Sequence, residues 1–171
     1  APLPASGRAA GFVLVVAALF MGTACVGAAT ALYAVAMSGP ITLQFYNPAA
    51  ATSLTIPIGF YIDRLSGVMM TLISAVSLII YTYSINYMYQ DRHYRRYLTL
   101  ICLTDFVLLC MVSSSNLMML FLFWQILSYL LYVLAHNHSH APTLDGAYKT
   151  FTVLRVADMA LLMGIILTYQ V

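Results

Sequence analysis

The chain has 171 residues, of which 63% are hydrophobic and 7% are charged, and its formal net charge is +2. A soluble globular domain carries about 25% charged residues, so this composition excludes one and indicates an integral membrane protein. The small net charge, without a basic run interleaved with aromatic residues, also excludes a nucleic-acid partner.

Five stretches are predicted to cross the lipid bilayer, because a helix needs about 20 apolar residues to do so. Between the first two, residues 41–64 alternate between apolar and polar side chains, which predicts short strands in a loop outside the membrane. No repeat or linker divides the chain. We therefore predict an all-α, polytopic transmembrane helix bundle in one domain, residues 1–171, with spans at about 11–37, 65–89, 97–112, 117–135 and 148–169.

The basic residues predict the orientation of these spans, because Lys and Arg are retained on the cytoplasmic side. The loop at residues 90–96 contains three of the seven basic residues and is predicted to be cytoplasmic. Counting the spans in both directions from this loop places the N-terminus, Arg8 and Lys149 on the cytoplasmic side as well. The opposite side then holds the 38–64 loop, the polar break at 113–116 and the C-terminal Val171.

Two polar residues lie inside the third and fourth spans. Asp105 and Gln125 are each about ten residues from the 113–116 break, so at ~1.5 Å per residue they share nearly the same depth in the membrane. An uncompensated ionisable group there costs roughly 2.5–3.5 kcal/mol, so such residues usually face a bundle interior or an ion pathway. The matched depth makes Asp105 and Gln125 candidates for a mutual hydrogen bond.

Gln125 also begins a polar stripe on the fourth span, because Ser128, Tyr129 and Tyr132 follow it at i+3, i+4 and i+7. Two interpretations stay open for this stripe. The first is hydrogen bonding between helices, worth about 0.6 kcal/mol per bond. The second is direct lining of a proton or water pathway.

The fifth span carries Arg155 and Asp158 at i,i+3 spacing, which predicts an ion pair on one helix face. They lie two to three turns into the membrane from Lys149, and Asp158 falls near mid-depth. Charged residues at this depth favour a role in transport, and a purely structural ion pair is the alternative.

Three histidines alternate in the loop after the fourth span, so an extended backbone would direct His136, His138 and His140 to one side. Such a cluster can collect protons or bind a divalent metal, and a solvated loop without either role is the alternative.

Asp63 and Arg64 are predicted to form an interfacial charge pair before the second span. The sequence contains no phosphate loop, serine–histidine–aspartate set or zinc motif. We therefore expect that the chain binds no cofactor and that a partner protein carries out any catalysis.

Three segments, read in order, resemble a known family: residues 60–66 (FYIDRLS), 116–124 (NLMMLFLFW) and 147–158 (AYKTFTVLRVAD). They resemble the N-terminal part of the antiporter-like NuoL family, which supplies proton-translocating membrane subunits to respiratory complex I, related antiporters and carbon-uptake complexes. The resemblance covers about residues 55–171. It implies a larger antiporter-like fold, with one family helix before Ala1 and many more after this segment.

The resemblance also implies roles for single residues. Lys149, Arg155 and Asp158 match the helix that tunes the family's central glutamate, and Asp63 matches an aspartate before the second span here. The glutamate itself directly follows the tryptophan, where this chain has Gln125, which cannot ionise. Asp105 is then expected to replace the missing carboxylate.

Loss of that glutamate resembles DabB-type proteins, the NuoL-like subunits that accumulate inorganic carbon with a soluble zinc protein, DabA. This implies a proton- or cation-conducting subunit in a bacterial inner membrane, with other membrane subunits and a DabA-like protein on its cytoplasmic face as partners. The alternatives are a proton-pumping subunit of complex I or an Mrp-type antiporter, and a non-conducting scaffold in which Gln125 marks lost function.

Overall fold

The computed structural model describes the backbone of residues 6–46, 58–87, 94–135 and 141–170. In these ranges the chain forms five helices and one small antiparallel sheet, which confirms the predicted all-α membrane bundle. The helices are α1 (Ser6–Ser38), α2 (Arg64–Tyr87), α3 (Tyr94–Val112), α4 (Leu117–Ala135) and α5 (Ala141–Gln170). The strands are β1 (Ile41–Tyr46) and β2 (Ile58–Ile62), within the loop where the sequence predicts strands.

Four of these five helices, α1, α2, α4 and α5, are long and apolar enough to cross a membrane. The third predicted span, α3, is not among them, because its 19 residues include Arg95, Arg96 and Asp105. Both arginines are exposed near the beginning of α3, and the rest of the helix packs against α1, α2 and α4. Its place in the bundle is therefore that of a spanning helix, although its composition is more polar.

The helix ends have local causes. α1 ends just before Gly39, whose φ of 90° belongs to the left-handed region that glycine adopts without strain. The Gly39 N–H donates to the Val35 carbonyl at 3.1 Å. α5 begins at residue 141, earlier than the predicted residue 148. Pro142 stands in its first turn, where the missing N–H removes no bond within the helix.

The hairpin of β1 and β2 joins the turn between α3 and α4. The Tyr61 N–H donates to the Ser113 carbonyl at 2.8 Å, and the N–H and hydroxyl of Ser115 both donate to the Gly59 carbonyl, at 3.2 and 2.8 Å. The hairpin and the 113–116 turn therefore lie on the same side of the bundle, as the span count predicts.

A small buried core joins the first three helices. Met21 of α1, Tyr81 of α2, and Leu98 and Ile101 of α3 form this cluster. α4 then packs between α3 and α5. Many large apolar side chains on all five helices point outward, as expected for surfaces that face lipid or further helices.

Candidate functional site

The site begins at Asp158, a carboxylate in the middle of α5 whose residue is 6% exposed. The indole Nε1–H of Trp124, on α4, donates to Asp158 Oδ1 at 3.0 Å. This bond fixes the level of Asp158 against α4, beside Gln125. It gives one carboxylate oxygen a donor and leaves the other for a second partner.

Arg155 approaches the second oxygen, so the predicted ion pair is confirmed. One guanidinium nitrogen lies 3.7 Å from Asp158 Oδ2, and the Arg155 side chain is 35% exposed against 9% for that of Asp158. This distance is longer than a hydrogen bond, and Oδ2 has no hydrogen-bond partner among the described residues. The pair is therefore an ion pair without a direct hydrogen bond.

The same guanidinium lies over an aromatic ring. Its central carbon is 4.6 Å from the centroid of Phe151, one turn earlier on α5, within the range of a cation–π contact. Phe151 in turn packs against Tyr132 of α4, with ring centroids 4.8 Å apart and planes inclined by 38°. Arg155 thus has an aromatic support on one side and a carboxylate on the other.

A cavity of about 270 Å³ lies between α4 and α5 beside this aromatic pair. It is mainly apolar, with hydroxyl groups from three of its residues. Its lining consists of Ser128, Leu131, Tyr132, Ala135, Thr150, Phe151 and Leu154.

The predicted polar stripe on α4 does not face a single surface. Ser128 and Tyr132 line the cavity, whereas Tyr129 is 55% exposed on the outside of the bundle. The Gln125 side chain is partly buried, and its Oε1 is fully buried without a hydrogen-bond partner in the described ranges. Three of the four residues are therefore placed toward the interior.

Asp105 lies on α3 and is 2% exposed. Among the described residues, neither of its carboxylate oxygens has a hydrogen-bond partner, so the predicted bond to Gln125 is not formed. The side chain of Ser77, on α2, faces Asp105 instead. Equal depth does not bring two side chains together, because the rotation of each helix about its axis decides where they point.

Within the described residues, the buried side-chain polar atoms without a protein partner share one chemical property. They are Asp105 Oδ1 and Oδ2, Gln125 Oε1 and Asp158 Oδ2, and all four are hydrogen-bond acceptors. Buried polar groups normally have partners, so these atoms are positions at which a water molecule or a proton can bind.

Other predicted residues lie away from this group or outside the described ranges. Lys149 is exposed near the beginning of α5. His136, His138 and His140 fall outside the described residues, so their predicted role in proton collection or metal binding stays a prediction. Within the described ranges, no three His, Cys, Asp or Glu residues are grouped as a metal site would require.

Asp63 caps the N-terminus of α2. Its Oδ1 accepts the Ser66 N–H at 2.7 Å and the Ser66 hydroxyl at 2.8 Å. These two bonds, the backbone bond foremost, hold the pKa of Asp63 below its ordinary value. The predicted interfacial position is thus combined with a capping role that the sequence reasoning missed, although an aspartate just before an apolar run is a known cap signal. Arg64 beside it is exposed.

Sequence reasoning also missed Trp124 as the partner of Asp158. The available signal was an indole N–H inside an apolar span, since such a donor needs an acceptor when it leaves water. Asp158 was the acidic residue predicted near the same depth.

Two family models match the chain. One is described as NADH-Ubiquinone oxidoreductase (complex I), chain 5 N-terminus, and covers residues 49–98. The other is described as NADH:quinone oxidoreductase/Mrp antiporter, TM, and covers residues 114–171.

The similar proteins come from chloroplasts and from bacteria. The chloroplastic NAD(P)H-quinone oxidoreductase subunit 5 of Chaetosphaeridium globosum is 33% identical over 76% of this chain and 20% of its own length. A probable inorganic carbon transporter subunit DabB1 of Halothiobacillus neapolitanus is 33% identical over 64% of this chain and 20% of its own length. The subunit 5 of Glycine max is 34% identical over 69% of this chain and 16% of its own length. The chain thus spans about a fifth of the length of these relatives.

Proposed function

We infer the function of this chain from its family. The chain belongs to the antiporter-like family of membrane subunits and matches the N-terminal part of that family. We propose that it conducts protons within a larger membrane complex. The observation that carries the proposal is a set of four buried acceptor atoms, on α3, α4 and α5, that have no donor among the described residues. Polar groups that are costly to bury in a membrane and lack fixed partners are typical of a hydrated proton path.

Asp158 is the proposed proton-binding group of the α4–α5 part of the path. Trp124 holds its Oδ1 in place, and its Oδ2 is the atom that accepts the proton. When the proton binds, Asp158 becomes neutral and its attraction for Arg155 weakens. The guanidinium keeps its contact with Phe151 in both protonation states.

The cavity between α4 and α5 is the proposed approach to Asp158. The hydroxyls of Ser128 and Tyr132 can each accept and donate a hydrogen bond, which a proton needs at every step. Lys149, near the beginning of α5, is proposed to set the electrostatic potential at the mouth of this approach. The three histidines are proposed to collect protons on the same side.

Gln125 bears on the kind of complex. Its amide can form hydrogen bonds but cannot carry a proton at neutral pH, so the path here differs from one built on the family's glutamate. We propose a DabB-type subunit of an inorganic-carbon-accumulating complex, with a DabA-like zinc protein as its soluble partner. The similarity to the DabB1 protein supports this proposal.

The equally strong similarity to NAD(P)H-quinone oxidoreductase subunit 5 supports a second candidate, a proton-pumping subunit of a complex I type assembly. For the DabB-type subunit, we propose that the chain lies in the inner membrane of a bacterium, with its N-terminus in the cytoplasm. Both candidates need further membrane subunits, against which the exposed apolar faces of the helices would pack.

The test uses the complete protein that contains this chain, assembled with its partner subunits in membrane vesicles. We expect Asp158→Asn to reduce proton flux by about tenfold or more, a typical effect of losing a proton-transfer group. Tyr129→Phe is the matched control, because Tyr129 points outward from α4, and it should keep the wild-type flux. Wild-type flux in the Asp158→Asn complex would contradict proton conduction through this site.

Growth distinguishes the two kinds of complex. In a bacterial host without its own inorganic carbon uptake, a DabB-type subunit with its partner should restore growth in air, and Asp158→Asn should abolish that growth. Proton pumping that depends on quinone reduction, without rescue in air, would instead support the complex I type.

A further inference from the structure

Asp105 stands apart from the Trp124–Asp158–Arg155 arrangement, because it lies on α3 and faces Ser77 of α2. We propose that Asp105 is a second proton site of this chain, which holds a proton as a neutral acid and passes that proton on during transport. This inference deepens the proposed function and rests on it for the transport step.

The burial of Asp105 supports the neutral form. The residue is 2% exposed, and neither oxygen has a hydrogen-bond partner in the part of the chain that the structure describes. A carboxylate removed from water without hydrogen bonds or a counter-ion is far more costly than the uncharged acid, so such a group takes up a proton. Asp158 has both a hydrogen-bond donor, the Trp124 indole, and a counter-ion, the Arg155 guanidinium.

The charged residues of the surrounding helices leave Asp105 without a described counter-ion. Arg95 and Arg96 on its own helix are exposed and lie more than two turns away, at the beginning of α3. α2 carries one charged residue, Arg64, exposed at its other end, and α4 carries none. On α1 the charged residue is Arg8, near its beginning. A titratable group close to Asp105 is the thiol of Cys102, one turn earlier on α3.

Ser77 makes the position usable in both protonation states. Its hydroxyl can accept a hydrogen bond from the protonated acid, and it can donate one after the proton has left. The neighbouring hydroxyls of Ser74 and Thr104 already donate to carbonyls of their own helices, those of Met70 and Leu100. Ser77 is therefore the proposed positioning residue for the Asp105 proton.

The geometry favours a proton over a metal cation. Hard cations such as calcium take about six to eight oxygen ligands. The described side chains bring the Asp105 carboxylate and the Ser77 hydroxyl together, which suits a group that needs one or two hydrogen bonds. Gln125 Oε1, at similar depth on α4, can accept a hydrogen bond from a water molecule that carries the proton onward.

Infrared difference spectroscopy tests the protonation state in the complete assembled complex in lipid vesicles at neutral pH. We expect the C=O stretching band of a protonated carboxyl group in the wild type, its loss in Asp105→Asn, and its retention in Asp158→Asn. Ser77→Ala should shift the band, because it removes the hydroxyl that is proposed to accept a hydrogen bond from the acid. An unchanged band in Asp105→Asn would overturn the proposal, and so would a wild-type band that disappears when sodium is added.

Flux measured on the same preparations tests the transport step. Asp105→Asn should lower proton flux by about tenfold or more, and Asp105→Glu should recover part of it, because the acid group is restored. Loss of the band without loss of flux would overturn the relay. The infrared result does not depend on conduction, so a wild-type complex that conducts no protons would contradict the proposed function and leave the neutral acid demonstrated. Helix content and complex assembly, measured for every variant, identify any that misfolds.

Discussion

Trp124 connects two helices through a single polar atom. Its N–H reaches Asp158 across the α4–α5 interface, 34 positions later in the chain. A hydrogen bond to a charged group contributes about 1.5–3 kcal/mol, more than most contacts between membrane helices. We therefore attribute to Trp124 the position of the carboxylate, and to Arg155 its charge balance.

Trp124→Phe keeps an aromatic ring and removes the donor. We expect a loss of about 1.5–3 kcal/mol in the stability of the α4–α5 contact, and a reduced proton flux, because Asp158 is no longer held in one orientation. A double-mutant cycle with Asp158→Leu measures the coupling, because leucine cannot accept a hydrogen bond from the indole. Full additivity of the two changes would show that the indole and the carboxylate do not interact.

Asp63 predicts a pH-dependent stability. Because its pKa is lower in the folded protein than in the unfolded chain, its stabilising effect is complete above the unfolded pKa and is lost as the pH falls through the folded pKa. Asp63→Ala should lower the melting temperature at neutral pH by a few degrees and have little effect in strong acid.

Asp63→Asn is the matched variant for this cap. Asparagine also caps helices but does not titrate, so it should preserve most of the stability at neutral pH and weaken the acid dependence. Equal acid dependence in Asp63→Asn and the wild type would assign that dependence to other groups.

The limits of sequence reasoning are visible at single residues. The Arg155–Asp158 pair could be predicted, because i,i+3 spacing on a helix determines which side chains are neighbours. The bond between Asp105 and Gln125 could not be predicted reliably, because their depth follows from counting residues whereas their direction depends on how α3 packs against α2. The Trp124 bond requires the distance between α4 and α5, which no local pattern contains.

At the scale of elements, the hairpin and the α3–α4 turn form one structure. β2 pairs with β1 on one side, and it bonds to the backbone of residues 113–115 on the other. The strands could be predicted from alternation, and their side of the membrane from the span count. Their attachment to the turn could not, because it depends on two segments more than 50 residues apart.

Gly59 is required for this junction. A Cβ atom there would lie 2.6 Å from the Leu43 carbonyl oxygen, so Gly59→Ala must move backbone apart. We expect it to destabilise the protein by about 1–3 kcal/mol, a usual cost of overpacking, and to weaken the bonds from Ser115. Loss of protection from hydrogen exchange at Ser115 measures the second effect.

Gly164→Ala is the control for that substitution. Gly164 lies within α5, and a Cβ atom there has no neighbour within 4 Å, so alanine should be neutral or slightly stabilising through its helix propensity. Equal effects of the two substitutions would show that the close approach at Gly59 carries no strain.

At the scale of the whole molecule, the outward apolar surface and the up-and-down helix order could both be predicted from hydropathy. The absolute orientation rests on the basic loops, and labelling tests it. A cysteine at Leu43, exposed on the hairpin, should react with a membrane-impermeant maleimide added to intact cells, whereas one at Lys149 should react only after lysis. Reaction of both under the same condition would contradict the predicted number of crossings between them.

The attachment of the hairpin to the α3–α4 turn also has a mechanical consequence. The end of α1, the beginning of α2, the end of α3 and the beginning of α4 all meet at this one hydrogen-bonded platform. Because the hairpin and the turn hold these four helix ends together, the helices can move apart only at their opposite ends. Any opening between them that admits ions should therefore be widest at the ends far from the hairpin, while the distances between the helix ends at the hairpin stay nearly constant.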